Sequence, residues 1–154
     1  MSPLFKKLNW KGQELLFVLW APQNLDAEWS AMKSYATLQN KLPKTGKTGF
    51  VLAFCTTLQQ VEQVAKYAAA NLEADGLLWI AYPKQSSKNY VCEFNRDTGW
   101  VSLGAAGFEP VRQVAIDADW SALRFRRVEF IKNMTRSFAM TAVGKQKAAA
   151  KKKD

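Results

Sequence analysis

Few side chains in this sequence are equipped for chemistry, and none of its 154 residues is His. That absence removes the Ser-His and Cys-His nucleophile pairs and every zinc site that needs imidazole. Ser86-Ser87-Lys88 sets a hydroxyl nucleophile beside a basic side chain. A lysine acts as a base only where desolvation strips its proton. In a loop as polar as Lys84-Gln85-Ser86-Ser87-Lys88-Asn89 it keeps its charge, which leaves contact with an anion or another ligand as its role. Cys55 stands just before Thr57, where a helix start lowers a thiol pKa, so it is the more reactive of the two cysteines. With no His to pair with it, a buried structural thiol is the favoured reading. Cys55 and Cys92 are too few for a Cys₄ metal site and too far apart for a CxxC motif.

Two further segments invite a functional reading. Gly46-Lys47-Thr48 suggests a phosphate loop, but position 41 is Lys where that motif needs Gly, and the segment precedes a strand instead of following one. It reads as a solvated loop. Trp120, Ser121 and Arg124 share a stretch with Phe125, Arg126 and Arg127. Here Trp120 could stack a ligand while Arg124 holds an anion. The plainer alternative, which we favour, has Trp120 plugging a sheet and Arg124 paired with Asp117 or Asp119. The six tryptophans fall mostly on apolar faces and read as core.

The elements that must position these residues are written in the hydrophobic pattern. Leu15–Ala21 is a continuous apolar run closed by Pro22, which suits a strand buried on both faces of a parallel sheet. Trp29, Met32 and Ala36 share one face of a helix over Asp26–Ala36, and Asn40–Gly49 is loop. Gly49–Cys55 is the second buried strand. Thr57-Leu58-Gln59-Gln60 is a capping box, followed by apolar positions at helical spacing through Leu72 and a stop at Asp75-Gly76. Gly76–Pro83 is the third strand. A helix starts near Asn95 or Asp97 and ends at Gly107. Pro110–Ile116 and Ala122–Val128 alternate apolar and polar residues and read as an antiparallel hairpin, with Val111, Val114 and Ile116 on one face. Phe130, Ile131, Met134 and Phe138 form one stripe of a last helix.

This order predicts an α/β domain. It is a Rossmann-like open sheet, mostly parallel, with an antiparallel C-terminal hairpin at its edge and helices on both faces. One domain spans 1–143, its C-terminal helix over 129–143, and 144–154 is a basic, disordered tail.

From Phe50 to Val128 the order of elements resembles the C-terminal half of the class I methyltransferases: strand Val51–Phe54, helix, the Leu72–Leu78 entry, strand Leu77–Ala81, a helix ending Ala106-Gly107-Phe108, and the closing hairpin. Gly76–Lys84 and Asp119–Arg124 also resemble a small family of uncharacterised bacterial domains of this architecture, which implies no particular activity. A methyltransferase carries a glycine-rich turn after its first strand, where bare backbone approaches S-adenosylmethionine. Here that turn is Pro22-Gln23-Asn24-Leu25, with a fixed φ at Pro22 and a bulky side chain at Leu25. No acidic residue for the ribose hydroxyls stands around Tyr35–Leu42, and no Asp/Asn-Pro-Pro-aromatic segment follows Phe54. The resemblance therefore implies a fold, with no cofactor and no catalytic residue.

The net charge is +9, more than half of it after Val128. The run Lys145–Lys153 would draw polyanions through counterion release, without sequence specificity, although a solubilising terminus is the favoured reading. Leu15–Ala21 is far shorter than the ~20 residues of a membrane span, and free thiols add to the expectation of a cytoplasmic protein. The leading expectation is a non-catalytic domain that binds a small anionic ligand or a protein partner. The alternatives are a nucleic-acid-associated protein, using the tail with Arg124, Arg126 and Arg127, and an enzyme on a degenerate methyltransferase scaffold. The expected ligand site is an anion-accepting crevice between the ends of Leu15–Ala21 and Phe50–Cys55, lined by Gln23, Thr56, Lys84, Ser86 and Lys88, with Trp120 and Arg124 as further candidates. No carboxylate is expected to oppose an anion there, and no metal is expected.

Overall fold

The computed structural model describes residues 1–43, 46–94 and 98–131. Its centre is a six-stranded sheet. The strands are β1 (Leu15–Leu19), β2 (Thr37–Gln39), β3 (Thr48–Phe54), β4 (Leu72–Pro83), β5 (Phe108–Ala115) and β6 (Trp120–Arg127). Their spatial order is β2-β1-β3-β4-β6-β5. The first four pair in parallel, and β6 runs antiparallel to both β4 and β5. The apolar runs read from sequence are the three inner parallel strands. Their side chains are buried on both faces, as a sheet covered on both sides demands.

The helices are α1 (Pro3–Lys7), α2 (Asp26–Ser30), α3 (Leu58–Asn71) and α4 (Val101–Ala105). On one face, Val61, Val64, Ala65 and Ala68 of α3 and Leu103 of α4 pack over Phe17, Val51, Ile80 and Phe125. On the other, Leu4, Phe5 and Leu8 pack over Phe50, Leu52 and Trp79, with Leu25, Met32 and the half-buried Trp29 filling the space beside them. The layers are those expected, and the fold is mixed α/β with its antiparallel pair at one edge.

Several details depart from the sequence reading, each for a local reason. Helix α1 was not foreseen. Ser2 caps it by accepting from the Phe5 amide, and Pro3 occupies the first turn, where no amide is needed. Strand β2 is a three-residue edge strand too short to show a pattern. The helix expected over Asp26–Ala36 is one 3-10 turn (Gln23–Leu25) and the single turn α2, although Trp29, Met32 and Ala36 do pack on one face. Helix α3 opens on the predicted capping box but stops at Asn71, not at Asp75-Gly76. Leu72 is already extended, with φ −67 and ψ 133, and the chain enters β4 directly. Gly76 lies within β4, where an added Cβ would sit 2.9 Å from the Leu72 side chain. Helix α4 begins at Val101 and runs to Ala105, and Gly107 just past its end has a φ of +91 that needs glycine. A bulge between Pro110 and Arg112 turns Val111 out to solvent, so it leaves the face on which Val114 and Ile116 sit. Val128–Phe130 form a 3-10 turn. Ile131, expected on the C-terminal helix, is extended, and the rest of that helix and the tail lie outside the described residues.

Candidate functional site

The loop after β4 carries Lys84, Ser86 and Lys88, and the hairpin turn pins it. The Asp119 carboxylate accepts from Ser87 Oγ at 2.9 Å and Asn89 Nδ2 at 3.1 Å, while the Lys84 amide donates to the Asp119 carbonyl at 2.7 Å. Asp117 caps its own turn, accepting from the amides of Asp119 and Trp120. Both hairpin carboxylates are therefore engaged locally, and neither pairs with Arg124, contrary to the plainer sequence reading. Lys84 and Ser86 line a cleft of about 910 Å³ with Tyr82, Tyr90, Cys92 and Gln113, and Lys88 stands exposed on the same loop.

The helix start beside this cleft is closed. Gln60 Oε1 accepts from the Thr56 amide at 2.8 Å and the Thr57 amide at 3.2 Å. Glu93 Oε2 accepts from the Leu58 amide at 2.9 Å, and the Glu93 amide donates to the Thr56 carbonyl. The free amides expected to draw an anion are thus held by the chain's own side chains, one of them a carboxylate. Sequence reasoning missed Glu93 because its approach to α3 is non-local. Cys55 gains nothing from the helix start either: burial pushes its thiol well above the ordinary range, and Cys92 adds to the rise. Burial raises the Cys92 thiol too. Neither is a poised nucleophile.

Trp120 is 3% exposed, wedged between Phe54 at 5.0 Å and Tyr90 at 4.8 Å between ring centroids. It plugs the sheet. Arg124 stands four residues further along β6, opposite Trp79, about 13 Å from Trp120 at the usual strand rise. Trp120 and Arg124 therefore do not share a groove. Gln23 is exposed at the start of its 3-10 turn, and its neighbour Asn24 donates to Asp117 at 3.3 Å. The seven candidate residues thus do not form one site.

The topology does reverse where expected. β1 pairs with β2 on one side and β3 on the other, so the connections diverge there. Among the described residues, a cleft at this reversal lies on the β2 side of β1. This cleft of about 830 Å³ is bounded by Trp20 and Ala21 after β1, Asp26 and Trp29 of α2, and Gln39 and Asn40 at the end of β2. Trp20 has φ +54, a left-handed conformation that a bulky side chain rarely adopts, and it is 41% exposed. The Trp29 indole N–H is buried without a hydrogen-bond partner. Leu25, expected to crowd this turn, instead packs into the core beneath it. Asp26 lines the cleft from α2, well before the Tyr35–Leu42 stretch that holds no acidic residue.

Among the described residues no group of His, Cys, Asp and Glu could hold a metal ion, and no helix is long and apolar enough to cross a membrane. No protein-family model and no curated protein sequence matches the chain. Solved structures do. A SAM-dependent methyltransferase from Aquifex aeolicus aligns over 81% of this chain and 88% of its own, with a TM-score of 0.54 and 11% identity. The fibrillarin pre-rRNA processing protein of Methanococcus jannaschii aligns over 76% of this chain and 67% of its own, with a TM-score of 0.50 and 14% identity. At such identities the likeness concerns architecture, and the architecture of this chain is the Rossmann-like fold of the class I methyltransferases.

Proposed function

We propose that the protein is a small-molecule-handling domain on a methyltransferase-like scaffold, with its ligand in the cleft at the ends of β1 and β2. Its scaffold supports the enzyme reading over the non-catalytic one expected from the sequence. The observation that carries the location is Trp20, an exposed indole held at φ +54 at the mouth of the cleft. Backbone strain of this kind costs of order 1–3 kcal/mol and persists where surrounding structure enforces it, typically at ligand sites. An indole face, the Asp26 carboxylate, the Trp29 N–H and the Gln39 and Asn40 amides suit a planar heterocycle bearing hydroxyl groups.

S-adenosylmethionine, the cofactor that the fold implies, does not fit these residues in the usual way. Pro22 has no amide to offer its carboxylate, Trp20 occupies ground that bare backbone should leave open, and β2 ends at Gln39 with Asn40 following it. Titrations that follow tryptophan fluorescence and melting temperature should therefore detect adenosine. S-adenosylmethionine should bind no more tightly, and Trp20→Ala should abolish the response. Micromolar S-adenosylmethionine binding would overturn the exclusion. No response to any nucleoside would overturn the choice of cleft.

A second reading keeps an anion at Lys84, Ser86 and Lys88, because Lys84 and Ser86 line the other cleft and Lys88 stands on the same loop. Its test is a phosphate titration of the double variant Lys84→Glu, Lys88→Glu, in which binding should vanish.

A further inference from the structure

The hairpin arginines separate by face, and the separation picks out a surface not visible in the sequence. Arg127 lies on the α3 side, where Nη2 donates to the carbonyls of Leu72 at 2.8 Å and Ala68 at 3.1 Å and the guanidinium lies 5.1 Å from the centre of the Phe108 ring. It is committed to structure. Arg124 and Arg126 stand on the opposite face, and the bulge at Val111 brings Arg112 of β5 into direct register with Arg124. Directly opposed residues have Cβ atoms about 4.5–5.5 Å apart, and like charges so placed repel. The nearby acids sit at the Arg126 end: Asp75 takes a bidentate pair from Arg126 at 2.7 Å, and the buried Glu109 is in register with Arg126. Arg124 is half-buried, and its Nε has no hydrogen-bond partner. Burial, then Arg126, hold its guanidinium below its ordinary pKa against the pull of Asp75, and Arg112 adds to the fall. An edge strand carries charge to discourage pairing with other chains, which accounts for Arg112 on β5. It does not account for Arg124, since β6 is flanked by β4 and β5.

We propose that Arg112 and Arg124 form a phosphate clamp by which the protein holds the backbone of a nucleic acid. Paired guanidinium forks match phosphate oxygens in geometry and charge. The pair lies outside both clefts, with Arg112 exposed on the edge strand and Arg124 half-buried beside it. A polyanion gains from successive contacts through counterion release. Lys7 extends the strip, its Nζ 3.5 Å from the carbonyl of Ala115 further along β5, and the whole chain carries +9.

The test uses the full chain and a labelled single-stranded RNA, followed by fluorescence anisotropy across a salt series. Arg112→Glu should weaken binding by about tenfold at low salt, and each arginine removed should reduce the salt slope by roughly 0.7. Arg124→Lys keeps a positive charge with little change in packing, so it should fold, and it should weaken binding through loss of the fork. Lys66→Glu, an equal charge change on the exposed side of α3, should weaken binding much less. Unchanged affinity and slope in both arginine variants would overturn the proposal, since binding would then lie elsewhere on the chain. An equal loss in Lys66→Glu would overturn the location. Competition by inorganic phosphate with no retention of RNA or duplex DNA would overturn the choice of partner.

Discussion

The carboxyl ends of the parallel strands behave differently on the two sides of β3. Toward β4, the chain closes on itself: Gln60 and Glu93 hold the start of α3 and Asp119 ties down the loop that follows β4, although the Trp120 indole N–H is buried without a partner. Toward β2, the chain leaves a strained and exposed Trp20, an unpartnered Trp29 N–H and a cleft. A buried polar group without a partner costs of order 1–3 kcal/mol. The strained Trp20 and the cleft beside it are what set the β2 side apart, and there we place the proposed ligand. Residue type alone pointed to the β4 side, because lysines, serines and a helix start look like an anion site until their partners are known.

Phe54 is the wall between the two sides, with ring centroids 6.0 Å from Trp29 and 5.0 Å from Trp120. Phe54→Ala should cost about 3–5 kcal/mol by denaturant titration and disturb both sides together. A loss below 1 kcal/mol would mean the two sides do not share a packed wall. Next in size, Gln60→Ala with Glu93→Ala should cost about 1–2 kcal/mol by uncapping α3. Added sulfate should restore part of that loss by occupying the freed amides. If sulfate stabilises the wild type equally, the helix start was never closed.

Away from both sides, Arg126 holds the Asp75 carboxyl below its ordinary value, with burial opposing. A depressed carboxyl stabilises the fold above its unfolded pKa, and this stability fades as pH falls through the folded value. Asp75→Asn should therefore lower stability near neutrality and have little effect in acid. Both side chains are about a third exposed or more, so the difference should stay under about 1 kcal/mol. Smallest of all, Lys84→Glu and Lys88→Glu should each change stability by no more than about 0.5 kcal/mol, since neither side chain is buried.

The fold was legible where burial on two faces wrote continuous apolar runs, as in β1, β3 and β4, and where a local motif sufficed, as at Thr57–Gln60. It was illegible where partners are distant in sequence. Leu38 alone cannot announce β2, and no local pattern places the bulge that turns out Val111. Ser2-Pro3 did carry a helix-start signal, overlooked because only a single turn follows. The site suffered more. Apolar neighbours hide the left-handed φ of Trp20, Asp26 reaches the cleft from α2, and only strand register reveals that Arg112 faces Arg124 while Arg127 looks the other way.

Helix α1 has a consequence for how the chain assembles. Leu4, Phe5 and Leu8 find their burial among Phe50, Leu52 and Trp79, and the Trp79 indole N–H donates to the Leu8 carbonyl at 3.0 Å. A single helical turn has no stability of its own. During synthesis, then, these residues wait, apolar and unprotected, until some seventy more have emerged and β4 has joined the sheet. The amino-terminal turn should be among the last parts to gain protection in hydrogen exchange during refolding, and Trp79 fluorescence should report the moment it docks.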